Sequence, residues 1–205
     1  MAKAAAHKIT ITEGALRFEF PHGWDASKFD EWSFYRGQFA RVGDAEILCK
    51  AKNCGGVAHC AKCGTKRIAG TRGIDILAVD PGSVCWHVEI KDYRTTRETN
   101  FAFLADMVAL KVRDTLSCLV VARLNSNDDI ERHRSEQALD CSSMRIILHV
   151  EMPPTHTPLL TPKMQRAHAM QRLRQLVKAI DPRARVVSMA DMPNLDWSVT
   201  SVDLS

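Results

Sequence analysis

Asp75, Glu89 and Lys91 are the residues of this 205-residue chain whose types and spacing could do chemistry together. Asp75 lies in the apolar run Gly73-Ile74-Asp75-Ile76-Leu77-Ala78-Val79, and the other two lie in Val84-Cys85-Trp86-His87-Val88-Glu89-Ile90-Lys91. Both runs read as strands, rich in β-branched and aromatic residues and bounded by Gly and Pro. Residues two apart on a strand share a face, so His87, Glu89 and Lys91 project to one side and Trp86, Val88 and Ile90 to the other. A carboxylate and an ammonium on an apolar strand are costly to bury unless paired or used. Two acids and an amine on adjacent strands make a site for a hard divalent cation and a charged reactant.

Whether the acids meet depends on register. If Pro81-Gly82 formed a plain two-residue turn, Asp75 would lie opposite Val88, on the wrong face from Glu89. Pro-Gly favours a type II turn, which suits hairpin twist poorly. The sequence therefore predicts a three-residue loop or a bulge here, which brings Asp75 level with Glu89. Asp80, before Pro81, reads as turn initiation. His87 reads as a partly buried structural histidine, with a phosphate or second-metal contact as the alternative.

A second constellation is Cys49, Cys54, Cys60 and Cys63, two pairs each followed by glycine. Four thiolates from two such knuckles make a tetrahedral structural zinc site, and His59 could replace one cysteine. A loop without metal remains open as the plainer reading. Lys50, Lys52, Lys62, Lys66, Arg67 and Arg72 surround the cluster, so the loop could press on a phosphate backbone or simply be a solvated surface. Cys85, Cys118 and Cys141 sit in apolar runs and read as core residues.

The elements that must position these groups follow in order. Ile9-Thr10-Ile11 and Leu16 to Phe20 alternate and predict a short exposed-edge hairpin. Asp25 reads as the N-cap of a helix carrying Phe29, Trp32, Tyr35 or Arg36, and Phe39, ending by Gly43. Glu46 to Lys50 predicts a strand. A helix is expected from about Glu98 to Leu124, then a second one capped within 125–128 and running to about Leu139. Met144 to Val150 predicts a buried strand, and a proline-punctuated loop follows. Lys163 to Ile180 predicts a basic amphipathic helix whose Lys163, Arg166, Arg172, Arg174 and Lys178 form a solvated or a nucleic-acid-facing surface. Arg185 to Met189 predicts a last strand, and the tail beyond Asp191 is expected to be loosely held. This order predicts an α/β fold, a mixed sheet covered by helices on both faces. We expect a single domain over 1–205, with its core in 25–150, a cysteine-rich insertion at 49–64 and a helix–strand extension at 155–205.

Hydrophobic content of 45% and charged content of 25% describe a globular chain, not a disordered one. No apolar run approaches the roughly 18 residues a membrane-spanning helix needs. The N-terminal residues lack a signal-type apolar segment, so a cytoplasmic location is expected. A net charge of +4 permits nucleic-acid binding without requiring it.

At Gly73-Ile74-Asp75 with Glu89-Ile90-Lys91 the chain resembles the PD-(D/E)xK nuclease superfamily, particularly Holliday junction resolvases and restriction-type endonucleases. The resemblance covers roughly residues 25–150. Its support is the Gly-x-Asp strand, the Glu-x-Lys strand, the fourteen-residue spacing of the acids and the basic run after Lys91. The leading proline of the motif is absent; Thr71-Arg72-Gly73 stand before Asp75. The resemblance implies a restriction endonuclease-like mixed sheet flanked by helices. It implies Mg²⁺ or Mn²⁺ held by Asp75, Glu89 and the Ile90 carbonyl, with Glu31 joining from the first helix. Lys91 would position a water or stabilise charge on the phosphorane. It further implies a DNA endonuclease, and many members of the superfamily work as homodimers. An iron–sulfur cluster occurs in some members, but not with this cysteine spacing. Two alternatives stand beside it: an ordinary ion pair on a half-solvated strand, and a non-catalytic, zinc-stabilised nucleic-acid-binding or assembly subunit with the same fold.

Overall fold

The computed structural model describes residues 8–43, 45–47, 66–68, 70–95, 103–152 and 162–202. The cysteine-rich segment carrying Cys49, Cys54, Cys60 and Cys63 lies outside the described residues, so the zinc expectation attached to it does too.

Ten strands form three sheets among the described residues. The central one has five: β3 (Asp25–Lys28), β6 (Ile76–Val79), β7 (Val84–Asp92), β8 (Ser143–Glu151) and β9 (Arg185–Val187), in that spatial order. The β3–β6 and β6–β7 pairs are antiparallel and the β7–β8 and β8–β9 pairs are parallel. It is therefore a mixed sheet, as the sequence predicts. A three-stranded antiparallel sheet joins β1 (Ile9–Glu13), β2 (Leu16–Phe20) and β10 (Ser198–Ser201). A two-stranded ribbon joins β4 (Ala45–Ile47) to β5 (Lys66–Ile68).

The helices are α1 (Ser33–Gly37), α2 (Leu104–Asn125), α3 (Asp129–Leu139) and α4 (Pro162–Leu176). Strand alternation divides the central sheet into two apolar faces. Leu77, Cys85, Ile146 and Leu148 face the helices, packing with Val108, Val112 and Leu119 of α2 and Leu173 of α4. Ile76, Ala78, Val88 and Ile147 face the other way, onto Leu16, Phe18 and Phe20 of β2. Helices on both faces were expected; among the described residues they cover one, and the small sheet covers the other. The alternation of β2 explains this, since Leu16, Phe18 and Phe20 are fully buried and leave only Arg17 and Glu19 facing outward. The β1–β2 hairpin is thus a lid on the core through β2, while β1 forms the edge of its sheet, as expected.

Two further expectations change. The single helix predicted from Asp25 is instead β3, a 3-10 turn at Phe29–Glu31, and the short α1. Phe29, Trp32 and Phe39 have helical spacing, but pairing of Asp25–Lys28 with β6 holds the first segment extended. Beyond Asp191 the chain is anchored: Trp197 is buried and β10 pairs with β2.

Candidate functional site

The β6–β7 hairpin sets the site. Val79 pairs with Cys85 and Ile76 with Val88, which places residue 75 level with residue 89. Residues 81–83 form a three-residue loop closed by Asp80, whose backbone N–H donates to the Val84 carbonyl at 3.1 Å. Ser83 adopts a φ of 59°, the left-handed position such loops require. The Asp80 carboxylate accepts from the Val84 amide and from the Trp86 indole N–H, both about 3.0 Å away. Asp80 is a turn residue, as its place before Pro81 suggests.

Asp75 and Glu89 are both buried, Glu89 at 1% exposure. One Asp75 oxygen accepts from the Ile90 amide at 2.6 Å. Lys91 Nζ lies 2.6 Å from Glu89 Oε1 and also donates to the Ile90 carbonyl at 3.1 Å. The sequence-predicted trio therefore converges on one spot, with the Ile90 carbonyl beside it.

Lys111 of α2 completes the cluster, and sequence reasoning missed it. Its ammonium lies 3.2 Å from Asp75 Oδ1, 2.7 Å from Glu89 Oε1 and 2.8 Å from Glu89 Oε2. A signal was present: Lys111 stands one helical turn after Val108 and one before Thr115, on the stripe that faces the sheet. The same stripe fixes the approach to Asp75. Thr115 Oγ1 accepts from the Ile74 amide and Asp114 from the Arg72 amide, at 3.1 and 3.0 Å. Gly73 lies between; a Cβ there would stand 2.9 Å from the Phe29 ring and 3.1 Å from that of Tyr35, so the aromatic packing admits only glycine.

The electrostatics follow from this crowding. Burial, then the charge of Asp75, raises the Glu89 pKa against the pull of Lys111 and Lys91. Burial alone would lower that of Lys111, but Glu89 and Asp75 outweigh it and leave it raised. One ammonium between two acids stays charged, and Glu89 is the group whose charge burial opposes.

Glu31 is not brought to the cluster. It pairs with Lys28 at 2.8 Å and with Arg36 on the exposed side of its turn. The neighbouring Asp30 turns inward instead: burial and the charge of Asp75 raise its pKa, and its Oδ1 is buried without a hydrogen-bond partner. The 3-10 turn, tied to the site by the Phe29 amide on the Asp75 carbonyl at 2.9 Å, makes that exchange. His87 is fully buried among apolar groups and held neutral, its pKa lowered to about 4, so it contacts no phosphate.

Asp75, Glu89 and the Ile90 carbonyl present the hard oxygen donors that Mg²⁺ prefers, and Asp30 offers an unpartnered oxygen nearby. Those donors suit such an ion by chemistry. Lys111 supplies the compensating charge here, and it would have to withdraw for a cation to enter. Among the described residues no group of three or more His, Cys, Asp or Glu side chains is arranged as a metal site.

Fold and site together define a mixed α/β protein with a buried acid–amine cluster on the helix-facing side of its central sheet. No protein-family model matches the chain, and no solved structure does. Over 215 aligned positions it is 30% identical to a cysteine–tRNA ligase of Neisseria meningitidis, an alignment that takes in 94% of this chain. The chain spans 30% of that protein's length.

This comparison corrects the resemblance to the PD-(D/E)xK nucleases and the DNA endonuclease reading drawn from it, since the relative is a ligase. Gly-x-Asp and Glu-x-Lys are short, generic patterns that occur outside that superfamily. The hydrolase, nuclease and DNA-cleavage expectations fall with that resemblance. No helix among the described residues is long and apolar enough to cross a membrane.

Proposed function

We propose that this chain is an RNA-binding domain serving tRNA charging, and that the Asp75–Glu89 cluster meets the RNA backbone through a divalent cation. The observation that carries the reading is the extent of the similarity to the N. meningitidis cysteine–tRNA ligase, which runs along 94% of this chain. The chain spans 30% of that protein, and the role proposed for it is the handling of tRNA.

The cluster supports the cation half of the reading. Asp75, Glu89 and the Ile90 carbonyl would hold Mg²⁺, which when bound supplies positive charge to a phosphate oxygen. Lys91, whose side chain is 33% exposed, is reachable from solvent and can pair with the same phosphate. Lys111 keeps the two buried acids compensated until the ion arrives. A net charge of +4 is compatible with a polyanionic partner.

The test is fluorescence anisotropy with a labelled tRNA transcript against a DNA duplex of equal length, both in Mg²⁺. The expected result is saturable tRNA binding that weakens as salt rises and is at least tenfold tighter than duplex binding. Equal affinity for both would overturn the reading.

A further inference from the structure

The geometry points to a second site, on the opposite face of the sheet: a pocket for a phosphate-type oxyanion built from Arg145, Arg183 and Arg185 beside Trp86. It is independent of the acid–amine cluster and of the proposed RNA role. Register creates it. Trp86 pairs with Arg145 across β7 and β8, and Ile147 pairs with Arg185 across β8 and β9. Paired residues share a face, so Trp86, Arg145, Ile147 and Arg185 lie side by side on the surface turned away from the helices.

These residues, with Asp181 and Arg183, line a cavity of about 80 Å³. A single water needs roughly 15 Å³ on such a measure, so the space admits a small polyatomic anion but not a segment of chain. Three guanidinium groups face one carboxylate there, which leaves the pocket with surplus positive charge.

Arg145, Asp181, Arg185 and Trp86 are held in place, and the exposed Arg183 is anchored through its backbone amide. Asp181, only 1% exposed, accepts from the Ile146 amide at 2.9 Å and from the Arg183 amide at 2.9 Å, and pairs with Arg145 at 3.0 Å. Its charge is thereby committed to backbone donors and one arginine. Arg185 is tethered by the Pro193 carbonyl at 2.7 Å, and the Trp86 ring is fixed by Asp80 and by Trp197, 5.1 Å between centroids. Guanidinium groups present planar forks that match the oxygens of phosphate, and ones already immobilised lose little freedom on binding. Three like charges around one small cavity repel one another, and a bound oxyanion relieves that repulsion.

The test is titration of the full chain with inorganic phosphate at constant ionic strength, read by tryptophan emission and by calorimetry, with chloride as control. The expected result is a saturable response to phosphate, absent with chloride, that weakens at least tenfold in Arg183→Gln/Arg185→Gln. Those substitutions leave the buried Arg145–Asp181 pair intact, and an unchanged melting temperature without phosphate verifies folding. A parallel titration with a nucleoside 5′-monophosphate separates the sources. Tighter binding than phosphate supports a nucleotide-borne group stacked near Trp86, and equal binding supports the free anion. No saturable response, or equal affinity in the double variant, would overturn the site.

Discussion

The ammonium of Lys111 stands 2.7 Å and 2.8 Å from the two carboxylate oxygens of Glu89. A lysine from the long helix thus neutralises an acid buried in the central sheet, and with Asp75 it ties the two layers together at the candidate site. Removing one partner of a buried pair costs about 3–5 kcal/mol, and Lys91, which still pairs with Glu89 at 2.6 Å, holds the loss to the lower end of that range. Lys111→Met should therefore lower stability by about that amount in chemical denaturation. Lys111→Met/Glu89→Gln should recover part of the loss. Added Mg²⁺ should stabilise Lys111→Met more than the wild type, because the ion would replace the missing charge. An equal Mg²⁺ response in both would contradict the role given to Lys111.

His87 supplies a pH dependence. Its folded-state pKa, about 4, lies below its ordinary value of 6.5 because the ring is buried. The unfolded chain binds the proton more readily in that window, so stability should fall as pH drops from 6.5 towards 4. The full contribution is about 3 kcal/mol. His87→Leu should flatten the stability profile over this range, measured by urea denaturation at a series of pH values. A profile as steep as that of the wild type would contradict the neutral, buried assignment.

Glu131 on α3 caps α1 from a distance: its carboxylate accepts from the Ser33 amide at 2.5 Å and the Phe34 amide at 3.1 Å. Glu131→Ala strands two N–H groups, one of them buried, and should cost about 1–3 kcal/mol. Glu131→Gln keeps an acceptor and should cost less. Thermal unfolding of the two variants checks the order, and equal losses would show that the cap is not what the carboxylate provides.

Gly73 meets the Phe29 ring too closely to accept a side chain. Gly73→Ala should cost about 1–3 kcal/mol through overpacking, and it should disturb the site because Asp75 follows two residues later. Phe29→Leu in the same chain should relieve part of that cost.

Much of the site was legible because strand chemistry is local. Glu89 and Lys91 share a face by simple alternation, and the poor fit of Pro-Gly to a two-residue turn foretold the loop that levels Asp75 with Glu89. Lys111 was not legible, because only the packing of α2 on the sheet brings residue 111 to residue 89. Glu31 is what the resemblance implies, a glutamate from a first helix, with Asp30 adjacent to it. The 3-10 turn reverses which acid points inward. The expected helix fails at Asp25–Lys28, whose local residues favour a cap and a helix while pairing with β6 makes a strand. Local preference lost to tertiary pairing there, as it did at β10, whose partner β2 lies at the far end of the sequence.

In the cation site proposed at Asp75, Glu89 and the Ile90 carbonyl, the Lys111 ammonium occupies the place of the ion. Calorimetric titration of Mn²⁺ or Mg²⁺ into the wild-type chain and into Glu89→Gln tests that site most directly. One saturable site per chain is expected at this cluster, lost or weakened at least tenfold in Glu89→Gln. Absence of saturable binding, or the same binding in both proteins, would contradict the proposed site.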